Sequence, residues 1–137
     1  MACTDLREAR WYFDESVLGP AKILDRRRND VVYPGHDLVP ALPRGVADTD
    51  WIPVVAEMGW VTFCRDRRIR TRPGERTIAR EAGLHMVWFA GKHDQRPHQY
   101  ADMFQQHLPR LERLIIKLGQ EPWALSLTSS GFRELTI

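Results

Sequence analysis

The chain has 137 residues, of which 43% are hydrophobic, so it can enclose one core and is too short for two well-formed domains. Charged residues make up 28% of the chain and nearly cancel, and the formal net charge of +2 indicates no class of partner. Only three of the 20 basic residues are lysine. Arginine binds phosphate in a bidentate geometry, which keeps nucleic acid open as a ligand.

The amino end and the two cysteines bear on the cellular compartment. Cys3 and Cys64 lie 61 positions apart, and we expect both to be reduced thiols in a cytoplasmic protein. Residues 1–10 include Asp5 and Glu8 and lack an apolar segment, so we expect no signal peptide. No window reaches ~18 apolar residues, and we therefore expect no transmembrane helix.

The first third of the chain predicts a strand, a helix and a second strand before a long connection. The aromatic run at 11–13 ends at two acids, as a buried strand does. Pro20 suits the first turn of a helix. The connection carries three prolines and two glycines, and apolar patterning resumes after it. The predicted segments are a strand at 11–13, a helix at 19–28, a strand at 30–33 and a loop at 34–45.

The rest of the chain continues the alternation of helices and strands. Asp48 and Asp50 carry oxygens suited to capping a helix at 51–58, which Gly59 ends. Pro53 then requires that this helix begin shortly before it, because proline is tolerated only in the first turn. The later predicted segments are a strand at 60–64, a helix at 75–82 closed by Gly83, a strand at 84–90, a helix at 99–118, and a hairpin of strands at 123–127 and 132–137.

Strands alternating with helices at this spacing predict an α/β fold, with a mainly parallel central sheet flanked by helices in three layers. We expect one domain over residues 1–137. Its core would span about 10–118, and a hairpin-like tail would occupy 119–137.

Acidic residues follow or precede the predicted elements at one edge of this sheet. Asp14 and Glu15 follow the first strand, Asp48 and Asp50 lead into the second helix, and Asp66 follows the third strand. Sites in parallel sheets form outside the carboxyl ends of the strands. We therefore expect these separate acids to converge on one site.

Carboxylates gathered at one site raise one another's pKa unless a cation offsets them, and Mg²⁺ or Mn²⁺ suits oxygen ligands. A metal held by Asp14, Asp48 or Asp50, and Asp66 could acidify a bound water and stabilise charge on a phosphodiester. Zinc is disfavoured because the histidines, of which His93 and His98 come closest, show no ligand spacing. The competing interpretation is that these acids form turns or caps, which suits Asp48 and Asp50 better than Asp14.

A basic segment surrounds the last of these acids. Its arginines would attract a phosphate backbone while the metal neutralises the carboxylates, as a nuclease requires. A solvated charged loop is the alternative interpretation. The candidate RNA-binding residues are Arg65, Arg67, Arg68, Arg70 and Arg72.

Three stretches of the chain, at 13–16, 48–53 and 59–70, resemble PIN-like domains, in particular the VapC-type toxin ribonucleases of bacterial toxin-antitoxin pairs. The likeness runs from about residue 11 to 132. Its most specific part is Asp48-Thr49-Asp50-Trp51, followed 15 residues after the tryptophan by Asp66. The arginines and the Pro73-Gly74-Glu75 stretch that follow belong to the same likeness.

The resemblance implies a Mg²⁺- or Mn²⁺-dependent endoribonuclease in which Asp14, Asp48 and Asp66 hold the metal and position the attacking water. Asp50 and Glu15 are second choices as ligands. The resemblance also implies a small antitoxin partner from the same operon, and such toxins often form homodimers.

The sequence departs from the family pattern at two places. Cys64 stands where related sequences usually carry Thr or Ser, and a fourth acid has no clear counterpart, with Glu15 and Asp37 as candidates. Two other hypotheses therefore stay open. One is a module that binds RNA or a protein without cutting, and the other is a phospho-receiver domain that would use Asp66 and Lys92.

Overall fold

A computed structural model describes residues 2–65, 72–91 and 95–136. Within these ranges the chain forms six strands and four α-helices, with short 3₁₀ helices at Leu6–Glu8 and Glu15–Val17. The strands are β1 (Trp11–Phe13), β2 (Val31–Val32), β3 (Val61–Cys64), β4 (His85–Phe89), β5 (Trp123–Thr128) and β6 (Gly131–Leu135). The helices are α1 (Leu18–Asp25), α2 (Asp48–Met58), α3 (Pro73–Ala82) and α4 (Pro97–Leu118).

The strands form one mostly parallel sheet in the order β2-β1-β3-β4-β5-β6. Every neighbouring pair is parallel except β5 and β6, which form the predicted hairpin. The expected α/β fold is confirmed. Because the chain passes from β1 to β2 on one side and returns to β3 on the other, the strand order reverses between β1 and β3, where open α/β sheets form their sites.

Hydrophobic clusters cover both faces of the sheet. On one face Trp11 and Phe13 pack with Phe63 and, from α4, Phe104. On the other face Tyr12 belongs to a cluster with Trp51 and other residues of α2. Successive residues of a strand point to opposite faces, so strands buried on both sides are apolar throughout, which explains the uninterrupted aromatic run in β1.

The two cysteines are buried thiols of this second cluster, and neither forms a disulfide. Among the described residues, no helix has both the length and the apolar content needed to cross a bilayer.

Helix α1 is shorter than predicted and starts earlier. It spans Leu18–Asp25, not 19–28, because the 3₁₀ helix at Glu15–Val17 leads directly into it. At its end the Leu24 carbonyl accepts hydrogen bonds from the amides of both Arg27 and Arg28. These bonds form a terminal turn in place of another helical turn. The second strand is likewise only Val31–Val32, since it pairs with β1 through two residues.

The prediction that Pro53 lies in the first turn of α2 is wrong. The helix begins at Asp48, so Pro53 is its sixth residue. A proline here removes the hydrogen bond to the Thr49 carbonyl. Thr49 is exposed, so water can satisfy that carbonyl. Burial of Trp51, Ile52 and Val55 along the inner face offsets the cost of the lost bond.

Candidate active site

A cleft of about 390 Å³ opens where β1 ends and α2 begins. Its walls come from the 3₁₀ helix after β1, the end of the Pro-rich loop, the first turns of α2 and the first turn of α3. The residues that line it are Asp14, Glu15, Ser16, Gly45, Val46, Ala47, Asp48, Trp51 and Glu75. The structure therefore places Asp14, Glu15 and Asp48 around one cleft at the carboxyl edge of the sheet.

Asp14 is the most buried acid of the cleft, with 5% of its surface exposed. It is the N-cap of the 3₁₀ helix Glu15–Val17, and its Oδ1 accepts a hydrogen bond of 2.9 Å from the Ser16 amide. The expectation that capping suits Asp48 and Asp50 better than Asp14 is therefore wrong, because Asp14 caps a short helix that the sequence did not predict. Capping fixes the direction of the carboxylate toward the cleft wall.

Ser16 links the ends of β1 and β3. Its hydroxyl donates a 2.5 Å hydrogen bond to Asp14 Oδ1 and accepts a 2.8 Å hydrogen bond from the Arg65 amide. Arg65 directly follows β3. The carboxylate of Asp14 is thus oriented from the neighbouring strand as well as from its own. Sequence reasoning did not single out Ser16, although the Asp-x-Ser spacing after a strand is typical of a side-chain cap.

Asp48 does not cap α2. The N-cap is Ala47, which has no side-chain acceptor, and Asp48 and Asp50 both lie in the first helical turn. The Asp48 carboxylate accepts a 2.8 Å hydrogen bond from the Trp51 indole. Negative charge in a first turn is favoured by the helix dipole. The capping interpretation of these acids is therefore wrong, and of the two only Asp48 lines the cleft, while Asp50 is exposed outside it.

Glu15 anchors the Pro-rich loop. Its Oε1 accepts a hydrogen bond from the Gly45 amide, and its Oε2 lies 3.9 Å from Arg44 Nε. Both carboxylate oxygens already have partners from the loop. Glu15 therefore lies in the cleft, and its carboxylate contacts Arg44 and Gly45 of the loop.

Glu75 is an acid of the cleft that sequence reasoning missed. It lies in the first turn of α3, where its Oε1 is 3.3 Å from Arg72 Nη1. Its Oε2 is buried and has no hydrogen-bond partner among the described residues. A buried carboxylate oxygen without a donor is costly unless a ligand or water completes it. The signal that could have identified it is an acid in the first turn of a helix that begins at Pro73.

The hydroxyl of Tyr12 lies in the negative field of these acids. It is buried beneath the cleft and has no hydrogen-bond partner among the described residues. Burial raises the pKa of Tyr12 far above its usual range, and the charges of Asp14, Glu15 and Asp48 raise it further. The effect on one hydroxyl of acids from two separate elements indicates a concentration of negative charge at this edge.

Part of the predicted site lies outside the described residues. This holds for Asp66 and for Arg67, Arg68 and Arg70. Arg65 lies at the end of β3 with its guanidinium 5.7 Å from the centre of the Tyr100 ring. Arg72 is exposed directly before α3 and pairs with Glu75, so it lies beside the cleft.

Other candidates from the sequence lie elsewhere. Asp37 is exposed and lines a different cavity, with Cys3 and His36, so it does not supply a fourth acid to the cleft. His98 lies exposed on α4. His93 and Lys92 lie outside the described residues.

The donors of the cleft suit a divalent ion. Carboxylate oxygens are the ligands that Mg²⁺ and Mn²⁺ prefer, and Glu75 Oε2 is a buried acceptor without a donor in the described part of the chain. Within that part, no three His, Cys, Asp or Glu side chains stand close enough to chelate one ion. Mg²⁺ is usually bound through one or two carboxylates and keeps several waters. Asp14 with one further acid is therefore a sufficient donor set.

Comparison with known proteins identifies the family. A model of the PIN-like domain family matches residues 10–91, more than half of the 137-residue chain. The matched region contains every residue that lines the cleft. No curated protein and no solved structure was found to be significantly similar to the chain.

Proposed function

Because this chain belongs to the PIN-like domain family, whose members are typically nucleases, we propose that it is a metal-dependent endoribonuclease acting at this cleft. The observation that carries the proposal is the gathering of Asp14, Asp48 and Glu75 around one cleft at the point where the strand order reverses. The ion would be Mg²⁺ or Mn²⁺, and Asp66 would complete its ligands. The substrate would be the phosphodiester backbone of RNA.

In this proposal Asp14 is the fixed ligand of the ion, because Ser16 and the 3₁₀ helix hold its carboxylate in place. Asp48 is the second ligand, held by the Trp51 indole. The ion, when bound, would acidify water and offset the charge that develops on the phosphate. Asp50 and Glu15 stay as alternative ligands, with Glu15 tied to the loop.

Hydrolysis requires a water oxygen to bond to phosphorus while one ester P–O bond breaks. The water gives up a proton, and the departing oxygen takes one. We assign Glu75 Oε2 to orient the attacking water and to accept its proton, because it lines the cleft and has no donor among the described residues. The arginines at 65, 67, 68, 70 and 72 would hold the flanking phosphates.

The test is cleavage of a fluorescent single-stranded RNA with added Mg²⁺ or Mn²⁺. Asp14→Asn and Asp66→Asn should each lower the rate at least about 100-fold, since they remove charge stabilisation in the transition state. Glu75→Gln should lower it about tenfold or more, because an amide cannot accept a proton.

Asp37→Asn is the matched control, because Asp37 is an exposed acid outside the cleft. It should cleave RNA at the wild-type rate. Equal product from wild type, Asp14→Asn and Asp66→Asn would contradict metal-assisted cleavage at this site. RNA that is bound but not cut by the wild type would indicate the non-catalytic binding module instead.

We further propose that the chain is the toxin of a type II toxin-antitoxin pair. The support is the resemblance of residues 13–16, 48–53 and 59–70 to VapC-type toxins. The test is expression of the chain with and without a short open reading frame that overlaps its gene. Growth arrest that this neighbour relieves supports the toxin role, and arrest that it does not relieve contradicts it.

A further inference from the structure

A second groove, of about 460 Å³, lies on the sheet beside the cleft. Its floor is the in-register row Trp88, Ser126 and Arg133 of β4, β5 and β6. Residues opposite each other on neighbouring strands share a face of the sheet. Trp88 packs against the cluster under α2, so the whole row lies on the face that carries the cleft.

The row crosses the strands near the carboxyl end of β3. Trp88 is paired with Cys64, the last residue of β3. Neighbouring strands are about 4.8 Å apart, so the row extends about 10 Å from Trp88 to Arg133. The groove therefore begins beside β3 and leads away from the cleft toward the sheet edge.

Hydrogen bonds connect this groove to the cleft. The Trp88 indole donates a 2.9 Å hydrogen bond to the Arg65 carbonyl. The Arg65 amide donates to Ser16, and Ser16 donates to Asp14. Hydrogen bonds through the backbone of Arg65 and the hydroxyl of Ser16 thus connect Trp88 of the groove to the proposed ligand Asp14.

The charges of the two spaces are opposite. Among the described residues, the cleft is lined by four carboxylates and by no basic side chain. In the same part of the chain, the groove is lined by Arg133 and by no acidic side chain. Arg133 is exposed, and no ion pair or hydrogen bond engages its guanidinium within the described residues. A phosphate at these four carboxylates therefore needs a cation that neutralises them, whereas the groove offers the positive charge of Arg133.

The remaining side chains of the groove add polar and aromatic surface. Thr128 and the largely buried Ser126 are the hydroxyl residues of the lining, and Trp88 is only partly buried, although its apolar context in the sequence favours a core position. Hydroxyls, an indole and an arginine on a flat sheet are the chemistry that binds unpaired nucleotides. Stacking on such an indole requires a base that is splayed out of a duplex.

From these observations we infer that the groove over Trp88, Ser126 and Arg133 binds the single-stranded nucleotides that flank the cleaved phosphate, with Arg133 contacting a phosphate of the RNA. The inference rests on the proposed endoribonuclease function, and it adds a substrate subsite on β4–β6 to it. The substrate would cross the sheet face from the cleft to the β6 edge.

The experiment is direct binding, measured by fluorescence anisotropy with a labelled single-stranded RNA of about 12 nucleotides in Mg²⁺. The full chain carries Asp14→Asn so that the RNA stays intact. Adding Arg133→Ala should weaken binding about five- to tenfold and lower the salt slope by about 0.7, the value for one lost phosphate contact on a single strand. Because Arg133 is exposed on an edge strand, the variant should fold normally.

Arg113→Ala is the matched control, because Arg113 is exposed on α4 and engages in no ion pair in the described part of the chain. It should leave affinity and salt slope unchanged. If Arg133→Ala binds RNA as Arg113→Ala does, the inference is overturned, and a peptide segment becomes the better occupant of the groove.

The outcomes separate this inference from the proposed function. A wild-type chain that binds RNA through Arg133 but does not cut it leaves the groove assignment standing and overturns the nuclease. A chain that cuts RNA with Arg133→Ala binding unimpaired leaves the nuclease standing and overturns the groove.

Discussion

Ser16 is the residue on which the direction of the Asp14 carboxylate depends. In the proposed function it acts by holding Asp14 and the end of β3 together through two hydrogen bonds. It is therefore a positioning residue. Partners of this kind around metal-binding carboxylates typically change metal affinity or activity by about 10–100-fold when they are removed.

Ser16→Ala should lower the affinity of the chain for Mn²⁺ and the rate of RNA cleavage about tenfold, while Ser16→Thr, which keeps the hydroxyl, should restore both. The loss of stability should stay near 1 kcal/mol, the usual value of a lost hydrogen bond. Titration of Mn²⁺ measures the affinity, and urea unfolding measures the stability. Unchanged Mn²⁺ affinity in Ser16→Ala would mean that the serine has only a structural role.

At the level of single residues the sequence predicts acids but not their partners. Asp14, Glu15 and Asp48 could be proposed because they stand next to predicted elements. That Glu15 is engaged by Gly45, or that Glu75 turns its Oε2 into the same space, depends on how the loop and α3 pack. Such contacts join residues 30 or more positions apart, which no local pattern encodes.

Helix α3 shows how a local signal fixes an element. Pro73 stands in its first turn and Gly83 ends it with a φ of +79°, the conformation that glycine adopts most easily. Gly83 made the end of the helix predictable, whereas its start at Pro73 lies two residues before the predicted start at residue 75. Two glycines flank its body, and their backbone conformations differ, since only Gly83 has positive φ.

Replacing each of these glycines with alanine should therefore have opposite effects. Gly74→Ala should stabilise the chain by about 0.5 kcal/mol, because helical glycine costs backbone entropy. Gly83→Ala should destabilise it by about 1 kcal/mol, because L-residues are strained at that φ. Neither added methyl group meets another atom within 4 Å, so packing does not obscure the comparison.

Urea unfolding of the two variants measures both changes. Shifts of the same sign would contradict the assigned end of α3.

Helix α2 shows how a local signal can mislead, because the rule that proline stands in the first turn predicted too late a start for this helix. A proline can stand in the second turn where the carbonyl it leaves unpaired is exposed, and exposure is not visible in the sequence.

At the scale of the whole molecule, the order of the strands decides where function lies. The alternation of strands and helices predicts the fold class, and the model of the family matches residues 10–91. The sequence does not predict that β1 lies between β2 and β3 or that the hairpin of β5 and β6 extends the sheet. Those pairings place the cleft and the groove over β4–β6 on one face.

Because the proposed ion would bind the folded chain at Asp14 and Asp48, it should stabilise the whole domain. Ligand at about 100 times its dissociation constant adds about 2.7 kcal/mol to the free energy of unfolding. Urea unfolding with and without Mn²⁺ should show this gain in wild type and in Asp37→Asn. Asp14→Asn should lose most of it, and an equal gain in that variant would place the ion elsewhere.

The attachment of Glu15 to the Pro-rich loop has a further consequence. Its carboxylate would share its two oxygens among the Gly45 amide, Arg44 and any ion that it binds. An ion that recruits Glu15 would therefore be coupled to the contact between the short helix after β1 and the loop at 34–45. Charge neutralisation at the cleft would then act on the loop through this one side chain.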